Sequence, residues 1–255
     1  MKYLVGALLA LIVFNASAQE EGGLKRPDIP GHLMLDIGLN YWDQTAGNLN
    51  QKGWPSKSLG LYYTKFKKLG NSFTINYGLG MTWEKIGFEV NVDDNPSTSD
   101  AVTIQTDSLG NVFFGPLFGT TSRISFKKYK VGILYVDAPF EFRWYPRSTQ
   151  DGEGLFISFG GILGLKVKSF DKTIFELNGE KFKTKSIGDF GLNSFRYGVQ
   201  ARLGFNGIHV FYKQYFSDVF SDPILVVDSI DSDGTLNGSP ISPTMTTIGI
   251  NITGF

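Results

Sequence analysis

FRYGVQARLGFNGIHVFYKQYF, residues 195–216, is the stretch on which the fold turns. Phe195, Tyr197, Val199, Ala201, Leu203 and Phe205 fall on one side of a two-residue period, and Arg196, Gly198, Gln200, Arg202 and Gly204 on the other. That is the period of a β-strand. Asn206-Gly207 then leads into a second aromatic-rich run, Ile208 to Phe216. A type I′ turn needs positive φ at both central positions, which Asn-Gly supplies, so the pair reads as a β-hairpin. The second strand is aromatic on both faces, and the pattern leaves its inward side open. The apolar face of the first must meet either a protein core or another apolar medium.

The beginning of the chain bears on that choice. Met1-Lys2-Tyr3, the apolar run Leu4 to Phe14 and Asn15-Ala16-Ser17-Ala18 are the three parts of a secretory signal peptide, with cleavage expected after Ala18. The run is shorter than the roughly 20 apolar residues of a membrane-spanning helix. Residues 19–31 read as a short periplasmic segment and 32–255 as the folded domain. With no cysteine, the exported chain has neither disulfides nor a site for a lipid anchor. The 24 basic and 24 acidic residues balance, and no long basic run points to nucleic acid. The chain holds 31 glycines and 15% aromatics, a mixture suited to tightly curved strands and interfacial aromatic belts.

Eight segments carry the same alternation. Their apolar faces run Leu33 to Tyr41, Leu59 to Tyr63, Phe73 to Trp83, Val136 to Trp144, Leu155 to Val167, through the two strands of the 195–216 hairpin, and Ile248 to Ile252. Each approaches the ~9–11 residues of a tilted membrane-crossing strand. The connections alternate in length: 43–57, about 85–135, 169–194 and 217–245 are long, whereas 67–71, 146–153 and 206–207 are short. Outer-membrane barrels sort their loops in this way, and a soluble sandwich has no reason to.

The expected fold is therefore all-β, an eight-stranded antiparallel up-and-down transmembrane β-barrel in the bacterial outer membrane with both termini periplasmic. Its uniformly apolar face points to lipid. Tyr41 and Trp83 fall near outer strand ends and Tyr63, Phe73, Trp144 and Phe205 near inner ones, as interfacial girdles do. Asp36, Glu84, Asp137, Glu141, Arg143, Lys166, Lys168, Arg196 and Arg202 point inward as a lumen polar network. A barrel of this size is just wide enough for side chains to fill, and buried charges need partners, so a paired plug is the expectation. Between Ser122 and Tyr135 the apolar residues leave the phase of the following strand, which predicts a bulge or an extension of the hairpin beyond the barrel.

The run Tyr135-Val-Asp-Ala-Pro-Phe-Glu-Phe-Arg-Trp-Tyr145, a short turn, and the Gly-rich Gly154-Leu-Phe-Ile-Ser-Phe-Gly-Gly-Ile-Leu-Gly-Leu165 resemble the PorT-like small outer-membrane barrels of Bacteroidetes-type bacteria. Ala138 stands where that pattern has Ile before the Pro. The resemblance implies an eight-stranded barrel in a family mostly without assigned activity. Phe255 resembles the terminal aromatic that such barrels present to the barrel insertion machinery, although it is out of phase with Ile248, Ile250 and Ile252.

Signs of chemistry are weak. Nucleophilic catalysis ordinarily wants a base beside the nucleophile, and His32 and His209 are the only histidines, both expected at the surface near the periplasmic rim. Asp137 and Glu141 share one strand face, but the neighbouring Arg143 favours a salt bridge over a carboxylate pair. Asp228 to Gly234 fails the calcium-loop register, because the twelfth position is Pro240 where a bidentate Glu is needed. Asp93, Asp94 and Asp107 read as solvated loop acids. The reading is a non-enzymatic, monomeric structural or interaction protein with no cofactor, catalytic residue or metal. Its partners are outer-membrane lipid and, through the loops 86–134 and 218–245, another protein. Val112 to Gly119 is the apolar cluster of those loops, expected to pack over the barrel mouth. A narrow ion or solute channel is the alternative, followed by a membrane-embedded lipid- or peptide-modifying enzyme.

Overall fold

Every described regular element is a strand. The computed structural model describes residues 32–45, 49–88, 102–106, 111–116, 124–146, 154–177, 179–205, 207–230 and 235–253. The strands are β1 His32–Trp42, β2 Gln51–Lys68, β3 Phe73–Phe88, β4 Val102–Thr106, β5 Val112–Pro116, β6 Ile124–Trp144 and β7 Phe156–Leu177. They continue with β8 Glu180–Ile187, β9 Phe195–Phe205, β10 Ile208–Tyr215, β11 Ile224–Ile230, β12 Leu236–Ile241 and β13 Met245–Thr253. The expected signal peptide, residues 1–18, the expected periplasmic segment 19–31, Asn206 and Phe255 lie outside the described residues. Gly207, the other half of the expected turn, has a φ of 83°.

Eight strands close a barrel. Their order is β6-β3-β2-β1-β13-β10-β9-β7, and β6 pairs with β7 to complete the circuit, every pairing antiparallel. Closure leaves no edge strand in the wall. From Asn40 the paired positions run through Thr247, Lys213, Gln200, Gly160, Glu141 and Asn76 to Phe66. Phe66 lies two positions beyond Thr64, the partner of His32. The register thus comes back offset by ten residues, from position 40 to position 30, which tilts the strands and leaves an interior sized for side chains.

The two faces of the wall differ in kind. On β9 the odd positions are outward and Arg196, Gln200, Arg202 and Gly204 are buried. On β10, Ile208, Val210 and Tyr212 are outward while His209, Phe211, Lys213 and Tyr215 are buried, which settles the face that the sequence left open. The girdle aromatics Tyr41, Phe73, Trp83, Trp144 and Phe205 are exposed on the exterior.

The wall continues past the barrel on one side. From Tyr129 onward β6 keeps one phase, with Tyr129, Val131, Ile133, Tyr135, Asp137, Glu141 and Arg143 all buried. Above Tyr135 the interior changes from charged to apolar, and the bulge expected between Ser122 and Tyr135 falls at Lys127, on a β6–β7 hairpin that extends beyond the barrel as expected. Pairing skips Lys127 on β6 and Val167 on β7, which are the bulged residues. Past the barrel, β7 forms a hairpin with β8.

The long connections are not free loops. β4 and β5 from the second and β11 and β12 from the last join in a four-stranded sheet, β12-β11-β5-β4, with β5 and β11 parallel. This corrects the picture of 86–134 and 218–245 as loops. Phe114, from the apolar cluster of residues 112–119, is fully buried against Trp42, Phe88 and Phe220, with ring centroids 5.5 to 6.4 Å away. Leu49, Ile86, Tyr129, Val131, Leu192 and Val226 complete an apolar lid over the barrel mouth.

Candidate functional site

Among the described residues, the lumen below this lid holds four carboxylates and four cations. Asp36 on β1 is the lower hub. Arg202 on β9 grips it in a bidentate pair, both contacts at 2.9 Å, and Lys213 on β10 adds a third at 2.7 Å. The Arg202 Nε donates to Glu141, whose other oxygen accepts from Arg143 Nε at 3.1 Å and from the Ser158 hydroxyl at 3.3 Å. Alternation on five different strands delivers these groups to one level.

Arg196 on β9 is the upper hub. It donates twice to Asp137, at 3.1 and 2.6 Å, and once to Glu84 at 3.1 Å. Glu84 accepts from the Asn40 amide at 2.7 Å, and the Asn40 carbonyl oxygen accepts from Thr247 at 2.8 Å. Asp137 also accepts from Thr82 at 2.5 Å. Tyr62 joins the hubs, since its hydroxyl is 2.7 Å from Thr82 Oγ1 and accepts from Lys213 Nζ at 2.9 Å. Charged hydrogen bonds of this kind hold geometry as well as charge.

Aromatic rings floor and roof the cations. The Arg196 guanidinium lies 3.8 Å from the Tyr135 ring and 4.3 Å from the Tyr215 ring, and the Arg143 guanidinium 4.6 Å from Phe156. Ring faces offer cations a partner where water is excluded. This is why β10 is aromatic on both faces: Phe211 and Tyr215 serve the cations inside, while Tyr212 faces outward.

Seven of the nine sequence-nominated residues lie buried in the lumen: Asp36, Glu84, Asp137, Glu141, Arg143, Arg196 and Arg202. Lys166 also faces inward, its side chain 7% exposed, but it sits at the rim, where its ammonium pairs with Asp189 and donates to the Leu192 carbonyl, tying the segment before β9 across the mouth. Lys168 does not join them, being exposed on the exterior because the extra residue Val167 reverses the parity of β7 between Lys166 and Ser169. His209 is a further correction. It is 3% exposed inside the barrel, edge-on to Phe156 at 4.6 Å with Thr253 Oγ1 3.5 Å from its ring. His32 is exposed and stacks on Phe66 at 5.5 Å.

Sequence reasoning missed Lys213, Tyr62 and Asn40. The signal for Lys213 was its place four residues beyond His209 on the same face, hidden because the opposite face is just as aromatic. Among the described residues no cluster of three or more His, Asp or Glu side chains is arranged to hold a metal. Asp93, Asp94, Asp107 and residues 231–234 lie outside the described residues.

The exterior is the reverse of the lumen. From Phe195 to Phe205 the outward positions of β9 span roughly 33 Å of strand, which a tilt of about 40° projects to about 25 Å along the axis. Ile37, Leu79, Phe159, Leu163, Val210 and Ile250 continue the same belt on other strands, each half or more exposed.

No family model matches the chain, and no curated protein does either. Among solved structures it is similar to Ail, the attachment invasion locus protein of Yersinia pestis, crystallised with the heparin analogue sucrose octasulfate. That likeness has 12% identity and a TM-score of 0.34, over 89% of this chain and 100% of that one. A triple-mutant porin of Rhodopseudomonas blastica follows at 11% identity and a TM-score of 0.18, over 88% of this chain and 98% of the porin. Scores this low carry no argument, and the barrel assignment rests on the strand register.

Proposed function

We propose that this chain is a non-enzymatic outer-membrane β-barrel that holds a folded head outside the cell, acting as a structural or interaction protein of the envelope. The exterior belt carries the reading. Its height matches the lipid-facing band of about 25 Å found in such barrels, and leaving so many large apolar side chains in water would invite aggregation. The charged lumen supports it from inside, because eight neutralised charges make a rigid post rather than a solvent-exposed surface. On this reading the short turns and both termini are periplasmic, residues 1–18 are the export signal, and Phe255 belongs to the insertion signal. The PorT-like resemblance rests on residues 135–165.

Heat-modifiability of the outer-membrane fraction tests the assignment. The unheated protein is expected to migrate as a compact species and the boiled protein at its full mass. Recovery in the aqueous fraction with no shift would overturn the membrane reading.

A narrow channel is the second reading, favoured by one observation. The Gln200 carboxamide and the Ser58 and Tyr215 hydroxyls are buried without a hydrogen-bond partner among the described residues, and such groups ordinarily bind water. Arg196, sandwiched by two tyrosines beneath the apolar lid, stands against it. Planar bilayers decide: the barrel-as-post reading expects silence, and discrete unitary currents would replace it with the channel.

A further inference from the structure

The outer face of β2, β3, β6, β7 and β8 carries a field of lysines assembled across strands. Lys57 pairs with Lys85, and Lys130 pairs with Lys172, which pairs with Lys185. Residues paired across a sheet share a face with Cβ atoms about 5 Å apart, and like charges placed opposite one another are unfavourable. Lys183 and Lys128 both pair with Ile174, adding a further row. Partial burial and the charges of Lys128, Lys85, Lys172 and Lys57 lower the pKa of Lys130. Burial followed by Lys183, Lys85 and Lys185 does the same to Lys172. Among the described residues no carboxylate closes an ion pair with any of these lysines. Lys57 instead lies 4.0 Å over the Trp54 ring and Lys185 4.4 Å over Phe170.

The height of the field is as informative as its charge. Trp83 is the last apolar outward residue of β3 and Lys85 is the next outward position; on β2 Lys57 follows Leu59, with the exposed Trp54 beyond it, and on β7 Lys168 follows Val167, with Phe170 and Ile174 lying among the lysines beyond it. The lysines thus begin where the apolar belt stops. Three rows, each two residues further along tilted strands, rise about 10 Å. On the opposite side of the barrel the same height carries Asp43, Thr244, Gln214 and Asp218, neutral or acidic.

We propose that this face binds the phosphate groups of anionic glycolipid headgroups in the leaflet at the long-connection end. The inference rests on the membrane reading above and specifies which lipid surrounds one side of the barrel. A soluble polyanion needs basic charge but no alignment with the belt, whereas a headgroup must meet its cations at the edge of the hydrocarbon. Rows stacked over about 10 Å suit a headgroup carrying several phosphates at different depths. The lysine repulsion, otherwise a cost to the sheet, is offset by the bound anions.

The experiment uses the full mature chain inserted into vesicles of phosphatidylcholine, with and without diphosphorylated lipid A. Trp54 and Trp83 border the field, so quenching of their emission by bromine-labelled lipid A, compared with bromine-labelled phosphatidylcholine, reports its local enrichment. The wild type is expected to enrich lipid A. The variant K85Q/K130Q/K172Q/K183Q should lose that preference by about 100-fold or more, given roughly fivefold per lysine at an anionic surface, and the corresponding four-arginine variant should keep it. Heat-modifiability confirms that each variant folds. Equal quenching by both lipids, or an unchanged preference in the glutamine variant, overturns the inference while leaving the membrane reading intact. Displacement of lipid A by soluble polyphosphate at matched phosphate overturns the headgroup assignment in favour of a soluble polyanion. Failure of the wild type to insert overturns both readings together.

Discussion

Arg196 and Asp137 meet because Gly164 lets them. A Cβ at Gly164 would stand 2.2 Å from Asp137 Oδ1 and 2.8 Å from Arg196 Cγ, so any side chain there displaces the pair. Gly164 therefore belongs to the lumen network, although it contributes no polar side chain. Breaking one partner of a buried pair costs about 3–5 kcal/mol, since the survivor is left charged without a counter-ion. Asp137→Asn is expected to lower unfolding stability by that amount in urea titrations of the folded barrel, and Gly164→Ala to lower it by at least about 1–3 kcal/mol through overpacking. Asp43→Asn, at an exposed carboxylate that accepts from Thr244, is the comparison and should stay within about 1 kcal/mol. Equal losses in all three would mean that the buried charges do not hold the interior.

At the scale of elements, one bulged residue decides which side of the wall a lysine occupies. The chain has no native cysteine, so single introduced thiols report the switch at Val167 cleanly. Lys168→Cys is expected to react rapidly with a water-soluble maleimide on the folded protein, and Ser169→Cys, 3% exposed beneath Gly188, to be protected until denaturation. The reverse order would place the bulge elsewhere. A two-residue period is legible wherever the two faces meet different media, as on β9, where the sequence alone puts Arg196 and Arg202 inward. It fails where they meet similar media. β10 has rings on both faces because its inner ones stack on cations, and upper β6 has an apolar interior that mimics a change of phase. A bulge leaves no mark on composition, so alternation alone puts Lys168 on the inner face. The parallel pairing of β5 with β11 joins segments over a hundred residues apart, Phe113 with Leu225, and no local pattern encodes it. The lysine field escaped for a related reason, being spread over five strands with no run of its own.

For the whole molecule, the register divides post from head. All eight wall strands pair with each other, and the head strands β4, β5, β11 and β12 pair only among themselves. The head is fastened by packing: Phe114 and Val226 are fully buried in the lid, beside Trp42 and Tyr129 contributed by the wall strands. Tyr129 adds a polar tie, accepting from the Ile104 backbone N–H at 3.0 Å, and burial raises its hydroxyl pKa above the ordinary phenol range. Truncating Phe114 to alanine removes a buried ring worth about 3–5 kcal/mol, a loss expected to fall on the head because none of the barrel's hydrogen-bonded circuit passes through it. Hydrogen exchange of Phe114→Ala should accordingly speed up in β4, β5, β11 and β12 while the wall strands keep their protection. Replacing residues 102–116 with a short linker carries the same logic further: the barrel should still fold and remain heat-modifiable. If the linker variant never reaches the compact species, the lid is part of the folding nucleus of the barrel, and head and post are one cooperative unit rather than a platform with a separable cargo.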